Sequence, residues 1–183
     1  MTVTETEIKG LFIIEPRVFE DSRGYFFESY NKKELEKSGV DIEFLQDNQS
    51  RSQFGVIRGL HYQAEPYSQS KLIRVLEGEI YDVALDLRKD SKTFGKFFGL
   101  SLSSTDKKQL LIPRGFAHGF SVLSEYAVVM YKCDEYYHPE SETGIKYNDP
   151  SLQIDWKIPS GKEIISEKDS KLPHFDPSFH IFE

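Results

Sequence analysis

The chain of 183 residues has one cysteine, Cys133, so no disulfide can form within it. A reducing, cytoplasmic setting is therefore expected. Long apolar runs are missing too. The longest, Tyr126 to Tyr131, is far too short to cross a bilayer. Met1 to Gly10 is polar and acidic and lacks the apolar centre of a secretory signal. Positive charge is in deficit: Lys and Arg total 23 against 30 Asp and Glu, a formal net charge of −7. Such a surface repels nucleic acid and anionic lipid at long range, so neither is an expected partner. A small anionic ligand is still admissible, because a few local cations outweigh a distant net charge. No internal repeat, low-complexity tract or linker interrupts the chain. The expectation is one domain over residues 1–183, with a core at about 10–173 and a tail at 174–183.

Aromatic residues are plentiful: 14 Phe, 10 Tyr and one Trp make 14% of the chain, a bias that suits strands and flat binding surfaces. Short strand-like pieces recur. They are Leu11 to Ile14, Tyr25 to Tyr30, Gly55 to Gln63, Lys71 to Leu76, Glu79 to Leu87, Phe94 to Leu102, Gln109 to Ile112, Gly119 to Val122 and Tyr126 to Cys133. Glu77-Gly78 reads as a tight hairpin turn. Asn31 to Ser38 reads as a short helix capped by Asn31 and ended by Gly39. Ser166 to Asp169 reads as a helix start. Many short strands with turn signals, and no strand–helix alternation, predict an all-β sandwich or barrel.

Two segments carry most of the chemistry: Arg58-Gly59-Leu60-His61-Tyr62-Gln63 and Pro113-Arg114-Gly115-Phe116-Ala117-His118-Gly119-Phe120. Either histidine alone reads first as a satisfied core or rim residue. Together the segments resemble the paired motifs of the cupin jelly roll, a double-stranded β-helix. Pro113, Gly115 and His118 match the second motif. Gln63 stands where the first motif carries its second histidine, and Val122 stands near the usual Asn. A transition metal needs three or four N, O or S ligands. Two histidines without a third ligand predict a cupin-like barrel with no metal, its histidines free for acid–base work.

A third segment runs from Ala127 to Tyr137. Strand alternation puts Ala127, Val129, Tyr131, Cys133 and Tyr137 on one face. Either that face looks inward and offers phenols to a long ligand, Tyr137 lying roughly 20 Å beyond Tyr131 on a straight strand, or both tyrosines pack with hydroxyls at the rim. Arg23, Arg58 and Lys71 stand at strand starts or turns. They either serve as phosphate contacts or are ordinary solvated cations. Asp82 and Asp86 share a face. Either they meet solvent, or Asp82 orients a histidine inside the barrel.

In order, these segments resemble the dTDP-4-keto-6-deoxyglucose 3,5-epimerase family of the dTDP-L-rhamnose pathway. The matching blocks include Phe19 to Tyr30 (FEDSRGYFFESY), Gln46-Asp47-Asn48, Arg58 to Gln63, Lys71 to Val75, Ile112 to Phe120 (IPRGFAHGF), Tyr131-Lys132, Tyr136-Tyr137, Trp156 and Ser166 to Asp169. The resemblance runs from about Gly10 to about Pro173. It implies a cofactor-free isomerase on a jelly roll, acting on a dTDP-sugar as a homodimer with exchanged N-terminal strands. It implies His61 as general base, Asp169 as its partner, Tyr131 as proton donor, and Lys71 and His118 near the C4 keto oxygen. Arg23, Phe26, Glu28, Gln46, Asn48, Arg58, Glu142 and Lys168 match substrate contacts, and Tyr137 matches the residue that stacks on thymine. Arg23 and Glu28 would reach the neighbouring subunit's site. Asp169 as a plain capping residue stays open beside this. The competing expectations are an epimerase acting at C3 or C5 alone, a metal-dependent cupin, and a sugar-nucleotide binding module without catalysis.

Overall fold

The computed structural model describes residues 1–178 and 182, and most of the regular structure in them is strand. In chain order, β1 (Thr2–Glu5) and β2 (Phe12–Glu15) precede a small ribbon, β3 (Phe19–Asp21) and β4 (Gly24–Phe26), and helix α1 (Lys32–Lys37). The body follows: β5 (Gln46–Gln53), β6 (Ile57–Gln63), β7 (Lys71–Glu77), β8 (Glu79–Asp86), β9 (Phe97–Ser103), β10 (Gln109–Ile112), β11 (Phe116–Val122) and β12 (Tyr126–Cys133). A short strand β13 (Glu142–Gly144) and helix α2 (Glu167–Ser170) lie in the less regular C-terminal part. No helix among the described residues is long and apolar enough to cross a membrane.

The strands form two packed antiparallel sheets, ordered β1-β2-β10-β7-β12-β5 and β13-β6-β11-β8-β9. From β5 to β8 each strand crosses to the other sheet, which is the jelly roll expected from the sequence. Alternation along each strand divides its burial between two faces. Ile73 and Val75 of β7, Leu110 and Ile112 of β10, and Ala127 and Val129 of β12 meet Ile80, Ala84, Phe116 and Phe120 of the opposite sheet. The intervening Leu72 and Leu111 face outward and are covered by Leu35 of α1 and by Val40. On the far side, Val83, Leu85 and Ala117 are covered by Ile145, Leu152, Trp156 and Phe182.

Several local expectations change. Glu77-Gly78 is no hairpin: β7 and β8 belong to different sheets, and Gly78 (φ +78°) is the corner between them. A Cβ there would lie 2.1 Å from the Tyr126 carbonyl oxygen, so the corner needs glycine. Tyr25 to Tyr30 does not continue as a strand, since β4 stops at Phe26. The strand of Phe94 to Leu102 starts at Phe97, after a set of turns, and that of Gly119 to Val122 starts earlier, at Phe116. Thr2–Glu5 and Gln46–Gln53 are strands that the apolar pattern does not announce. β5 (QDNQSRSQ) has no apolar residue because it is an edge strand with one face in water and the other in a polar cleft. Helix α1 is capped as expected, with Asn31 Oδ1 accepting from the Glu34 N–H. In the tail, Phe182 packs against Tyr62, while His180 lies outside the described residues.

Candidate active site

A cleft of about 530 Å³ opens between the two sheets. One wall is the six-stranded sheet. Antiparallel partners point to one face, and Tyr131 of β12 stands opposite Asn48 of β5, with Cys133 opposite both Gln46 and Lys71 of β7. Gln46, Asn48, Lys71 and Tyr131 therefore converge on the cleft.

The other wall is the five-stranded sheet, where His61 of β6 is registered directly against His118 of β11. The glycines of the two motifs make this possible. A Cβ on Gly59 would stand 2.6 Å from Gly119 Cα, and one on Gly119 would stand 2.7 Å from the Arg58 carbonyl oxygen. Gly144 presses on the other edge of β6, where a Cβ would meet the Leu60 carbonyl oxygen at 2.2 Å.

Each histidine has a carboxylate. His61 Nε2 lies 2.8 Å from Asp169 Oδ1, and the Gly59 N–H donates to Asp169 Oδ2 at 3.2 Å. Asp169 is 4% exposed. Burial alone would raise its carboxyl. The hydrogen bond and charge of His61, with the Gly59 and Ser166 bonds, outweigh that and hold it below the ordinary Asp value. An ionised Asp169 can only accept, so its bond fixes the tautomer in which His61 donates Nε2–H to Oδ1 and keeps the Nδ1 lone pair free. Capping of α2 falls to Ser166, whose Oγ accepts from the Asp169 N–H at 3.0 Å, so the Asp169 side chain serves His61. His118 Nε2 lies 2.8 Å from Asp82 Oδ1. Asp82 and Asp86 are both fully buried, which removes the solvent-facing alternative. Asp86 instead binds Arg88, Ser91 and Thr93.

The Lys71 side chain is directed into the cleft, and its ammonium forms no hydrogen bond or ion pair among the described residues. Burial pushes its pKa down, against the pull of Cys133, Glu142 and Asp82. Burial pushes the Tyr131 phenol up, with Cys133 adding to the rise and Arg58 opposing it. Cys133 behind them is pushed up to about 11, chiefly by burial.

At the rim the strand does not run on to Tyr137. β12 ends at Cys133, and the chain turns so that the Tyr137 N–H donates to Gln46 Oε1 at 3.1 Å. Tyr137 still lines the cleft, and its hydroxyl donates to Glu142 Oε2 at 2.7 Å. Lys168 also bonds Glu142. Burial would raise the Glu142 carboxyl, but the Lys168 and Tyr137 bonds lower it on balance. Arg58 is held by Ser52 of β5 through Nε at 3.0 Å. Arg58, Lys71 and Lys168 thus bring three cations to the cleft of an acidic chain.

Arg23, Phe26 and Glu28 are not brought into this cleft. Arg23 and Phe26 sit on the exposed β3–β4 ribbon and Glu28 just past it. Arg23 pairs with Asp21, Glu28 accepts from Asn31, and Phe26 is 68% exposed. Residues outside the sequence expectations also line the site: Ser50 on β5, Gln69, and Ile164 and Ile165 ahead of α2. Among the described residues, no group of three or more His, Cys, Asp or Glu is arranged to hold a metal.

A family model described as dTDP-4-dehydrorhamnose 3,5-epimerase matches residues 5–177. The chain is 51% identical to the dTDP-4-dehydrorhamnose 3,5-epimerase of Shigella flexneri over 170 residues, covering 92% of this chain and 93% of that one. The crystal structure of the enzyme of that name from Elizabethkingia anophelis superposes with a TM-score of 0.91 at 54% identity, over 96% of both chains. A Legionella pneumophila 3,5-epimerase, solved in complex with dTDP-4-keto-L-rhamnose, superposes with a TM-score of 0.89 at 47% identity, over 96% of this chain and 98% of that one.

Proposed function

This chain belongs to the dTDP-4-dehydrorhamnose 3,5-epimerase family, and from that premise we propose which residue performs each step. It is an isomerase that converts dTDP-4-keto-6-deoxy-D-glucose to dTDP-4-keto-L-rhamnose by inverting C3 and C5. Both carbons flank the C4 ketone, so their protons are acidified without help from a redox cofactor. The work left to the protein is to take a proton from one face, hold the enolate, and return a proton to the other face.

The observation that carries the assignment is that His61 and Tyr131 stand on opposite walls of one cleft. His61 Nδ1 takes the proton, and Asp169 fixes the tautomer and stabilises the imidazolium that forms. Lys71 stabilises the charge that develops on the C4 oxygen, and His118, held through Nε2 by Asp82, lies beside it. Tyr131, kept protonated by burial, delivers a proton from the six-stranded sheet. Arg58 and Lys168 take the diphosphate, with Gln46, Asn48 and Glu142 as further polar contacts and Tyr137 as the platform for thymine. Binding the nucleotide away from the reacting ring orients the sugar between the walls.

A homodimer completes the assignment. The exposed β3–β4 ribbon carries Arg23 and Phe26, with Glu28 just after it, into the cleft of the second copy. The one thiol, buried Cys133, suits the cytoplasm.

The test is solvent exchange. With dTDP-4-keto-6-deoxyglucose in D₂O, deuterium is expected at both C3 and C5, and a dTDP-4-keto-rhamnose reductase should consume the product. Exchange at one carbon only would overturn the double inversion.

A further inference from the structure

Gln63 occupies the position at which the cupin motif carries a metal-binding histidine, and its side chain here is committed elsewhere. It is 4% exposed and all its bonds go to backbone. Nε2 donates to the Tyr67 carbonyl at 2.6 Å and to the Tyr136 carbonyl at 3.2 Å, while Oε1 accepts from the His138 N–H at 2.8 Å. Two of these groups flank Tyr137. The Tyr137 N–H between them is taken by Gln46 Oε1 at 3.1 Å. Three successive residues of an irregular segment are thus held by two glutamines, one rooted in each sheet. The third bond of Gln63 reaches the loop of Tyr67, whose ring stacks on His138 at 3.8 Å and 4°. That ties both rim loops into one bracket.

The chemistry explains why an amide stands here. The position must donate twice and accept once, which neither a carboxylate nor an imidazole can do. Tyr137 is half exposed and lies beyond the end of β12, where a loop side chain has little to fix its direction. The bracket supplies that direction, and the hydroxyl then reaches Glu142.

We propose that Gln63 is a positioning residue for nucleotide binding: with an amide in the place of a metal ligand, it holds Tyr137 as a preset platform for the base. This rests on Tyr137 being that platform. The experiment uses dTDP, which lacks the reacting sugar, as the calorimetric probe, alongside steady-state kinetics. Gln63→Glu is nearly isosteric, keeps the acceptor and loses both donors. Gln63→Met is the second variant, should a buried carboxylate disturb folding.

Roughly tenfold weaker dTDP binding and a similar rise in KM are expected, the scale of one or two lost hydrogen bonds, with kcat within about twofold. In a Tyr137→Ala background, Gln63→Glu should weaken dTDP by less than about twofold further, since coupled residues are not additive. A fall in kcat with dTDP affinity intact would overturn the proposal, as would full additivity in the double variant. If Tyr137→Ala weakens dTDP and neither Gln63 variant does, only the positioning role fails. If Tyr137→Ala has no effect on dTDP, the platform reading fails and takes this proposal with it.

Discussion

At the scale of the residue, the site gives different environments to His61 and Tyr131, the two proton carriers we propose. Asp169 is ionised and bonded to His61, which favours a base, while burial keeps Tyr131 protonated, which favours an acid. Asp169→Asn keeps the shape and loses the charge. It is expected to lower kcat about 10²-fold while the protein still melts cooperatively, as measured by steady-state assay beside a thermal melt. Tyr131→Phe should leave the base working. Deuterium then continues to enter from the His61 face while inverted product falls about 10²-fold or more, read by NMR of the recovered sugar. An alkaline limb of kcat/KM is expected from Lys71, whose pKa burial pushes down while burial pushes that of Tyr131 up. Lys71→Arg should move that limb upward, since guanidinium stays charged; a limb that stays in place would assign it to another group. The residue types were legible in the sequence: His61, His118, Lys71 and Tyr131 all line the cleft. Gln63 was legible only as a missing ligand. Nothing in a linear sequence tells which backbone groups an amide will meet.

At the scale of the element, two devices hold the chemistry in place. The first is the close approach of β6 and β11, which depends on Gly59 and Gly119. Gly119 has no unusual φ, so Gly119→Ala tests sterics alone. Its Cβ would meet backbone, and overpacking of this kind costs roughly 1–3 kcal/mol. A lower Tm and a loss of kcat are expected together, because His61 and His118 move with their strands. The second device is the clasp on the segment that follows α2. Asp149 accepts from Ser151, His174 and the Phe175 N–H, and Lys146 N–H binds the Pro173 carbonyl. Burial opposes ionisation of Asp149, but the bonds from Ser151, Phe175 and His174 bring its pKa down to about 2 from 3.8. A depressed carboxyl stabilises the fold above its unfolded value, and that stability is lost as pH falls through the folded value. The difference corresponds to about 2 kcal/mol. Asp149→Asn should therefore lower Tm by about 5 °C at neutral pH. The gap from the parent should close between pH 4 and 2, and a gap unchanged at pH 2 would refute the clasp's electrostatic origin. Apolar strands such as β8 and β12 were legible from alternation. β5 was not, since its inward residues face a polar cleft and its outward ones face water.

At the scale of the whole molecule, the exposed β3–β4 ribbon, which joins neither main sheet, is the feature that a single copy leaves unexplained. Phe19, Tyr25 and Phe26 are exposed there beside Arg23. If the ribbon serves a neighbouring cleft, inactive His61→Asn and Arg23→Glu proteins should complement each other when mixed. Each mixed dimer then holds one complete site, and equal random mixing restores about a quarter of the sites. No gain on mixing, with exchange of subunits verified by mass, would confine the ribbon to its own chain. The sequence by itself determined the residue types, the β class, and the motif glycines that set two histidines into strands. These are local properties, readable from side-chain chemistry and alternation. Tertiary structure alone decided that Asp169 meets His61 across 108 positions, and that Asp82 turns inward to His118. It also decided that His61 and Tyr131 occupy opposite walls, and that Glu77-Gly78 is a corner instead of a hairpin. The physical reason is that strand crossover and long-range register bring these groups together, and neither is encoded within the few residues that any local pattern spans.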